Sequence, residues 1–339
     1  MDPVKALSEI GFWLEREQAQ TYKVKAFRTA ASAISHLGVD EVVDRVRDGR
    51  LRQVKGIGDR TFGVIHQAVE GGVPDYLADL RERGANPLAT GGAQLRAALR
   101  GDLHSHSDWS DGGSPVAEMA RSARWRGREY QVLTDHSPRL TIANGLTAER
   151  LAEQLDLVAE VDAAHEGFRL LSGIEVDILN DGGLDQTDEM LGRLDVVVAS
   201  VHSKLKMSSD AMTRRMVTAI CNPHTNVLGH CTGRLVGGAR GGRPESSFDA
   251  EMVFAACERF DVAVEINSRP ERQDPPSRLI QLALDAGCLF AIDTDAHAPG
   301  QLDFLDYGAE RAEANGVPAD RIVTTWPVDR MLEWSHSKR

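Results

Sequence analysis

The sequence predicts a parallel α/β barrel preceded by a small all-helical domain. From Leu99 onward, seven short apolar runs alternate with helical stretches, a pattern typical of parallel strands joined by helices. The first 84 residues instead show apolar residues at helical spacing. The stretch GANPLATGG, rich in Gly, Pro and small residues, follows at 84–92 and has the composition of a linker. We therefore expect a helical domain over 1–84, a linker over 85–98 and a barrel over 99–339.

The apolar runs of the barrel are the predicted strands. They are Leu99–His104, Tyr130–Thr134, Phe168–Ile174, Asp195–Val201, Asn226–Gly229, Val262–Ile266 and Leu289–Ile292. Between the first two runs, Pro115–Arg126 is a predicted helix with Ser114 as N-cap and Pro115 at the first helical position. Parallel barrels place their chemistry at the C-terminal ends of the strands. The residues that follow each run are therefore the first candidates for a site.

Composition and charge restrict the class of protein. A hydrophobic fraction of 42% and a charged fraction of 27% are those of a soluble globular protein. No run approaches 18 apolar residues and the N-terminus lacks a signal-peptide core, so we expect a cytoplasmic protein without a membrane span. The four cysteines have no metal or redox spacing, and we expect reduced side chains in or near the core.

The net charge of −12 is unevenly distributed along the chain. Residues 1–84 contain 13 basic and 13 acidic residues, so the barrel carries the whole negative charge. An acidic domain is a poor nucleic-acid binder on charge alone. Several divalent cations bound in its cleft would reverse that expectation, because bound ions dominate the local field.

Histidines and carboxylates follow almost every predicted strand. They are His104, His106 and Asp111 after the first run, Asp135 and His136 after the second, Glu175 after the third, His202 after the fourth, His230 after the fifth, and Asp295 and His297 after the seventh. A lone His at a strand end is usually structural, but chance convergence of so many groups on one rim is improbable. Imidazole and carboxylate are ligands that Zn, Mn and Fe prefer. The sequence predicts a cluster of three divalent ions with a bridging carboxylate.

These segments resemble the PHP (polymerase and histidinol phosphatase) domain through DLHSHS, LTDH, SGIE with SVH, and DTDAH. The resemblance implies a distorted (β/α)7 barrel. It also implies nine metal ligands: His104, His106, Asp111, His136, Glu175, His202, His230, Asp295 and His297. The stretches DLHSHSDWSDG, KMSSDAMTRRM, GHCTGRL, EINSRPERQD and DTDAHAPGQLDF are most similar to PHP domains of bacterial family X DNA polymerases, across roughly residues 99–315. Cys231 departs from the Pro usual in that subgroup.

YKVKAFRTAASAISHL followed by VKGIGDR resembles the small N-terminal helical domain of the same polymerases. Gly56 and Gly58 would form a helix-hairpin-helix turn whose backbone N–H groups bind a DNA phosphate, flanked by Arg52, Lys55 and Arg60. On the residues alone, a helix C-cap and turn explains this glycine pattern at least as well. The polymerase palm expected after this module is replaced by the short linker. We therefore expect no nucleotidyl transfer.

The expected chemistry is metal-assisted hydrolysis of a phosphate ester. Glu175 is the candidate bridging ligand and Arg234 the candidate phosphate clamp, with Arg269, Arg272 and Lys204 as second choices. For each Arg, an ordinary solvated loop charge is the alternative. The leading function is processing of DNA as a 3′→5′ exonuclease, 3′-phosphatase or abasic-site endonuclease. A phosphatase of the histidinol-phosphatase type is the alternative, and an inactive DNA-binding scaffold is a third hypothesis that the complete ligand set disfavours.

Overall fold

The computed structural model describes residues 1–238 and 241–338, and the chain divides into two compact units. The first unit contains Met1–Pro87 together with Pro299–Gln301, and the second contains Leu88–Ala298 and Leu302–Arg339. No helix within the described residues is long and apolar enough to cross a membrane.

The first unit is entirely helical. Its elements are α1 Pro3–Arg16, α2 Thr21–Ser35, α3 Val39–Arg47, a 3-10 turn Arg50–Gln53, α4 Asp59–Val69 and α5 Asp75–Arg83. Helix α1 begins where the Asp2 carboxylate accepts the Lys5 backbone N–H, with Pro3 in its first turn. The apolar residues at helical spacing form the core of this unit, including Leu7, Ile10, Phe27, Ile34, Ile65 and Leu77. The predicted helical domain is confirmed.

The second unit is built on seven parallel strands in the order β1 to β7, as far as the described residues extend. They are β1 Gly101–Asp102, β2 Tyr130–Leu133, β3 Arg169–Asp177, β4 Val196–Ser200, β5 Val227–Leu228, β6 Ala263–Asn267 and β7 Phe290–Asp293. A parallel bridge between Ser105 and Ala296 joins the ends of β1 and β7. The sheet is therefore a nearly closed barrel, which confirms the predicted fold class.

Helices surround this barrel. They are α6 Ala93–Ala98, α7 Val116–Trp125, α8 Ala148–Ala163, α9 Asp188–Leu191, α10 Ser209–Ile220, α11 Ala250–Arg259, α12 Ser277–Asp285, α13 Leu305–Ala314 and α14 Val328–His336. Short 3-10 turns occupy Thr141–Ala143, Pro299–Phe304, Ala319–Arg321 and Val323–Thr325. Helix α7 begins one residue later than expected, because Pro115 has an extended backbone and is itself the N-cap.

The segment expected to be a linker contains α6 and packs on α13. The backbone N–H of Leu88 donates to Asp306 at 2.7 Å, and that of Gly92 donates to Glu313 at 2.6 Å. A Cβ at Gly92 would lie 2.4 Å from the backbone nitrogen of Glu310. The small residues in this segment therefore permit close packing against α13. The composition that predicted a flexible linker belongs instead to a packed segment.

The N-terminal end of the barrel is closed by apolar packing. Tyr130, the first residue of β2, is buried and its hydroxyl lies 3.3 Å from the Val323 carbonyl and 3.2 Å from that of Trp326. Met331 and Trp334 of α14 pack in the same apolar cluster. Apolar side chains fill the N-terminal end of the barrel. The polar residues that could form a site therefore lie at the C-terminal end of the strands.

The four cysteines are free thiols within the described part of the chain. Cys231, Cys257 and Cys288 are buried, and burial raises the pKa of the Cys257 thiol well above its ordinary value. Cys221, the C-cap of α10, is exposed, so the expectation that all four lie in or near the core is wrong for this one.

Replacing Gly101 by alanine should destabilise the barrel. Gly101 pairs with Tyr130, and a Cβ added there would lie 2.0 Å from the Tyr130 ring. We expect a loss of about 1–3 kcal/mol in the free energy of unfolding, because the ring or the strand must move. Gly63→Ala is the control, since an added Cβ there meets nothing within 4 Å and the residue lies inside α4. Thermal melting should show a lower midpoint for Gly101→Ala alone, and equal midpoints would contradict the steric argument.

Candidate metal centre

The predicted metal ligands all lie at the C-terminal end of the barrel strands. His104 and His106 follow β1, His136 follows β2, His202 follows β4, His230 follows β5, and Asp295 and His297 follow β7, while Asp111 lies in the β1–α7 connection. Glu175 lies within β3, which extends three residues beyond the predicted strand. Since the C-terminal ends of parallel strands meet at one rim, these side chains converge.

Glu175 is at the centre of the cluster. Its two carboxylate oxygens face two different groups of rings. Oε2 lies 3.3 Å from Nε2 of His104, 3.6 Å from Nε2 of His106 and 2.9 Å from Nδ1 of His136. Oε1 lies 3.2 Å from Nε2 of His202 and 2.7 Å from Nε2 of His230. A carboxylate shared in this way can bridge two ions, whereas a neutral imidazole cannot.

The remaining carboxylates extend the cluster outward. Asp111 Oδ1 lies 3.5 Å from Nε2 of His136 and 3.3 Å from Nε2 of His297. Asp295 Oδ1 lies 3.5 Å from Nε2 of His106. Three overlapping groups, each with ligand atoms within 4.8 Å of one another, occur among the described residues: His106, Asp111, His136 and His297; His104, His106 and Glu175; and His136, Glu175 and His202. The nine side chains are thus connected without a break.

Unsatisfied ring nitrogens indicate that the cluster fits bound cations. Among the described residues, Nε2 of His104 and both ring nitrogens of His106 are buried without a hydrogen-bond partner. Leaving such groups unpaired in the interior is costly, and a metal ion would satisfy them. Burial by itself lowers the pKa of His104, but the carboxylates of Glu175, Glu265 and Asp295 together raise it well above its ordinary value. That excess of negative charge also favours divalent cations.

Two pKa shifts keep side chains in the form that binds metal. Burial lowers the pKa of His106, and the neighbouring rings of His297 and His136 lower it further, so its imidazole is neutral. Burial raises the pKa of Glu175, but the surrounding histidines outweigh this effect and hold its pKa well below the ordinary value. Neutral imidazole and ionised carboxylate are the protonation states that coordinate metal ions.

The cluster opens to solvent on one side. The side chains of Asp111 and His297 are 33% and 22% exposed, and His202 is 14% exposed. His104 and His106 are fully buried at the other side. A substrate phosphate can therefore approach from the side of Asp111 and His297.

Three supporting carboxylates lie behind the ligands, and two of them, Asp177 and Glu265, were not predicted as part of the site. Asp177 accepts the backbone N–H of His202 at 3.1 Å, and its Oδ1 lies 3.4 Å from Nδ1 of that ring. Glu265 lies 2.6 Å from Nδ1 of His104. Asp135, which was noted at a strand end, instead accepts from the backbone and hydroxyl of Ser107 at 2.8 and 2.5 Å. Asp177 and Glu265 are acidic residues within otherwise apolar strands. That pattern is the feature of the sequence that could have indicated a supporting role for them.

The arginines predicted to contact phosphate lie beside the cluster but are bonded to the protein. The Arg234 guanidinium donates to the carbonyls of Arg272 and Gln273 and lies 3.4 Å from Glu245. Nε of Arg272 lies 3.0 Å from Asp295 Oδ2. Arg269 lies 2.9 Å from Nδ1 of His297. Of these three arginines, Arg272 and Arg269 contact predicted ligands. A role for Arg234 in binding phosphate stays a prediction.

The hairpin residues predicted to bind DNA are on the surface of the helical unit. Lys55, Gly56, Gly58 and Arg60 are exposed, and Gly58 is the N-cap of α4. The backbone N–H of Gly58 donates to the Thr61 hydroxyl at 2.9 Å, so it already has a partner. The Arg60 guanidinium lies 4.2 Å from the centre of the Tyr76 ring.

Gly56 requires the absence of a side chain. Its φ is +97°, and a Cβ there would lie 2.8 Å from the methyl group of Thr29 on α2. The hairpin turn therefore packs directly on that helix, which is a structural reason for one of the two glycines. The DNA-binding role of the turn stays a prediction.

Comparisons with known proteins agree with both units. Residues 1–74 match the helix-hairpin-helix domain family. The chain is 38% identical over 225 residues to a Bacillus subtilis (strain 168) protein named DNA polymerase/3'-5' exonuclease PolX, which aligns with 66% of this chain. This chain spans only 39% of that relative's length.

Other relatives align with this chain over nearly their whole length. A protein of Thermoanaerobacter sp. (strain X514) named a probable phosphatase is 26% identical over 253 residues, which are 70% of this chain and 95% of the relative. A crystal structure of a histidinol phosphate phosphatase from Lactococcus lactis, complexed with zinc, L-histidinol and phosphate, has a TM-score of 0.45 and 18% identity. It covers 64% of this chain and 92% of that one.

The side-chain cluster and the relatives named probable phosphatases define a metal-dependent hydrolase of phosphoric esters. More particularly, the chain is similar to PHP-type phosphoesterases, and its first 74 residues match the helix-hairpin-helix domain family. The cluster supports binding of divalent metal ions.

Replacing Glu175 by glutamine should remove bound metal and turnover together. The amide has one acceptor oxygen, so it cannot face both groups of rings as the carboxylate does. Elemental analysis of the purified variant should show fewer ions per chain than the wild type, and hydrolysis of p-nitrophenyl phosphate should fall at least 100-fold, because a bridging ligand is lost. Glu149→Gln, an exposed residue in the first turn of α8, is the control. If an inactive Glu175→Gln variant kept its full metal content, Glu175 would act in catalysis without binding metal.

Proposed function

We propose that this protein hydrolyses phosphodiester or phosphomonoester bonds in DNA, as a 3′→5′ exonuclease, a 3′-phosphatase or an abasic-site endonuclease. The observation that carries the proposal is the presence, in one chain, of a continuous cluster of nine histidine and carboxylate side chains and a helix-hairpin-helix domain. The name of the Bacillus subtilis relative, which includes a 3′–5′ exonuclease, supports the same substrate.

The nine side chains would hold up to three divalent ions, of Mn, Zn or Fe, with Glu175 shared between two of them. Such ions polarise a phosphoryl oxygen and lower the pKa of bound water, which supplies a nucleophile near neutral pH. The protein's own part is to hold the rings of His104 and His106 at the buried side, where solvent is excluded. Asp111, His202 and His297 form the exposed side, where the phosphate would enter.

The arginines beside the cluster reduce the repulsion that an anionic substrate would otherwise meet. Arg272 contacts Asp295 with Nε, and the Arg269 guanidinium lies 3.8 Å from the other oxygen of the same carboxylate. Both side chains are less than one fifth exposed, so these contacts are weakly screened. They make the rim less negative toward an approaching phosphate.

The helical unit would supply contacts to the DNA backbone that the acidic barrel lacks. Lys55 is exposed beside the hairpin turn, and Gly58, three residues further on, is the N-cap of α4. A helix N-terminus and a basic side chain are suited to a phosphate without regard to base sequence. The unit as a whole is electrically neutral, so the affinity would come from a few local contacts rather than from a general attraction.

A small-molecule phosphatase is the second candidate. It is favoured by the relatives named probable phosphatases, which match over nearly their whole length. Such an enzyme needs the metal cluster and gains nothing from the hairpin. The two candidates therefore differ in the effect of changes on the hairpin surface.

Reversing the charge of Lys55 should separate the two candidates. Lys55→Glu should lower kcat/KM on a 3′-labelled oligonucleotide about tenfold, or about 1.4 kcal/mol, because one phosphate contact becomes a repulsion. Hydrolysis of p-nitrophenyl phosphate should be unchanged, since this small ester reaches only the barrel. The slope of log kcat/KM on the oligonucleotide against log salt concentration should shrink by about 1.

Lys5→Glu provides a matched control, because it makes the same change of charge on an exposed residue of the same unit, in the first turn of α1. It should leave the oligonucleotide rate within about twofold, apart from a small general electrostatic effect. If Lys55→Glu and wild type process the oligonucleotide equally, the hairpin does not deliver DNA. High activity on histidinol phosphate with none on oligonucleotides would establish the second candidate.

Primer extension should be absent. The sequence between the helical unit and the barrel is a short packed segment with α6, which leaves no room for a polymerase palm. Incubation with a primer–template, four deoxynucleotides and Mg²⁺ or Mn²⁺ should give shortened or unchanged primers and no longer products. Template-directed extension by the purified chain would contradict this proposal.

A further inference from the structure

Strand β6 differs from the other strands of the barrel because it contributes none of the nine predicted ligands. It nevertheless ends in two fully buried polar side chains, Glu265 and Asn267, directed at the cluster. We propose that Glu265 is a positioning residue that fixes the ring of His104 and the backbone of His230, and that Asn267 links it to Asp295. This inference rests on the metal centre proposed above.

The contact between Glu265 and His104 determines which ring nitrogen faces the cluster. Glu265 Oε1 lies 2.6 Å from Nδ1 of His104, and a carboxylate can only accept a hydrogen bond. When the ring is neutral, as metal binding requires, its proton is therefore on Nδ1 and its lone pair is on Nε2. That nitrogen is the one that faces Glu175 Oε2 at 3.3 Å and lacks a hydrogen-bond partner among the described residues. Glu265 thus prepares His104 as a ligand.

The second oxygen of Glu265 holds the backbone of another ligand. Its Oε2 accepts the N–H of His230 at 2.5 Å. His230 has a φ of +22°, an unfavourable conformation for a residue with a side chain. On the other side of His230, Asp274 accepts the backbone N–H of Thr232 at 3.1 Å. Two buried carboxylates therefore hold the turn that directs Nε2 of His230 at Glu175.

Asn267 extends the support to a third ligand. Its side-chain nitrogen lies 3.2 Å from Glu265 Oε2 and 3.1 Å from Asp295 Oδ2. The amide thus donates to both carboxylates and keeps them apart. Asp295 also has a positive φ, +51°, and follows β7, the neighbour of β6. In this way β6, which contributes no predicted ligand, orients ligands that follow β1, β5 and β7.

Glutamine at position 265 cannot reproduce this pair of contacts. It has one acceptor oxygen and one donor nitrogen in place of two acceptor oxygens. If its oxygen accepts from the His104 ring, its NH₂ group faces the backbone N–H of His230. If it is reversed, the NH₂ group faces Nδ1 of His104 and favours the tautomer whose Nε2 carries the proton and cannot bind metal. Glu265→Gln therefore preserves size but disturbs one of the two ligands.

The test is the metal affinity of the full chain, measured for Zn²⁺ and Mn²⁺ by competition with a chromogenic chelator. We expect Glu265→Gln to weaken the affinity of at least one ion by about 10- to 100-fold. Asn267→Ala, which removes only the amide donor, should weaken it by a smaller factor. With excess metal, hydrolysis of p-nitrophenyl phosphate should recover in both variants. Nitrogen-15 spectra of the histidine rings should show the Nδ1–H form of His104 in the wild type and a changed signal in Glu265→Gln.

Asp195→Asn is the matched control. Asp195 accepts the backbone N–H of Ser172 at 2.9 Å at the N-terminal end of β4, so the change removes a carboxylate that joins two strands away from the ligands. It should leave metal affinity unchanged even if it lowers the melting temperature. Unchanged metal affinity in both Glu265→Gln and Asn267→Ala would overturn the inference. A wild type that binds no metal would instead overturn the proposed function.

Discussion

The carboxylate of Glu175 is the group on which the arrangement of the metal centre depends. It lies within a strand, where its backbone N–H bonds to the Thr134 carbonyl at 3.1 Å and its residue pairs with Val198 of β4. A buried carboxylate is stable only when it is compensated by charge and hydrogen bonds. Here rings from β1, β2, β4 and β5 surround it. The position of one side chain in the sheet ladder thereby determines where five histidines meet.

The concentration of negative charge in the barrel explains several other features of the site. The barrel unit carries the whole net charge of the chain, and Glu265, Asp295 and Glu175 are fully buried in it. Arg272 and Arg269 compensate part of this charge at the rim. Divalent ions held by the cluster would compensate the rest and would make this acidic surface attractive to phosphate. The helical unit, which has equal numbers of acidic and basic residues, has no such requirement.

Three of the seven non-glycine residues with positive φ among the described residues lie at the ends of strands that carry the ligands. Lys204, His230 and Asp295 all have positive φ values although none is glycine. Each lies within two residues of a predicted ligand or is one. Such conformations persist only where surrounding contacts hold them, and here buried carboxylates and backbone bonds do so. Part of the folding free energy is thus used to direct side chains into the cluster.

The sequence by itself determined the class of fold, the helical first unit and the residues that follow each strand. Its apolar periodicity predicts these features because burial of one face is a local property of the chain. It could not show that GANPLATGG packs on α13, because small residues serve both flexibility and close contact. Nor could it assign Glu265 and Asn267, since their partners are His104, His230 and Asp295, between 28 and 161 residues away. Only the tertiary structure, by closing the barrel, showed that the strand without predicted ligands holds the ligands of other strands in place.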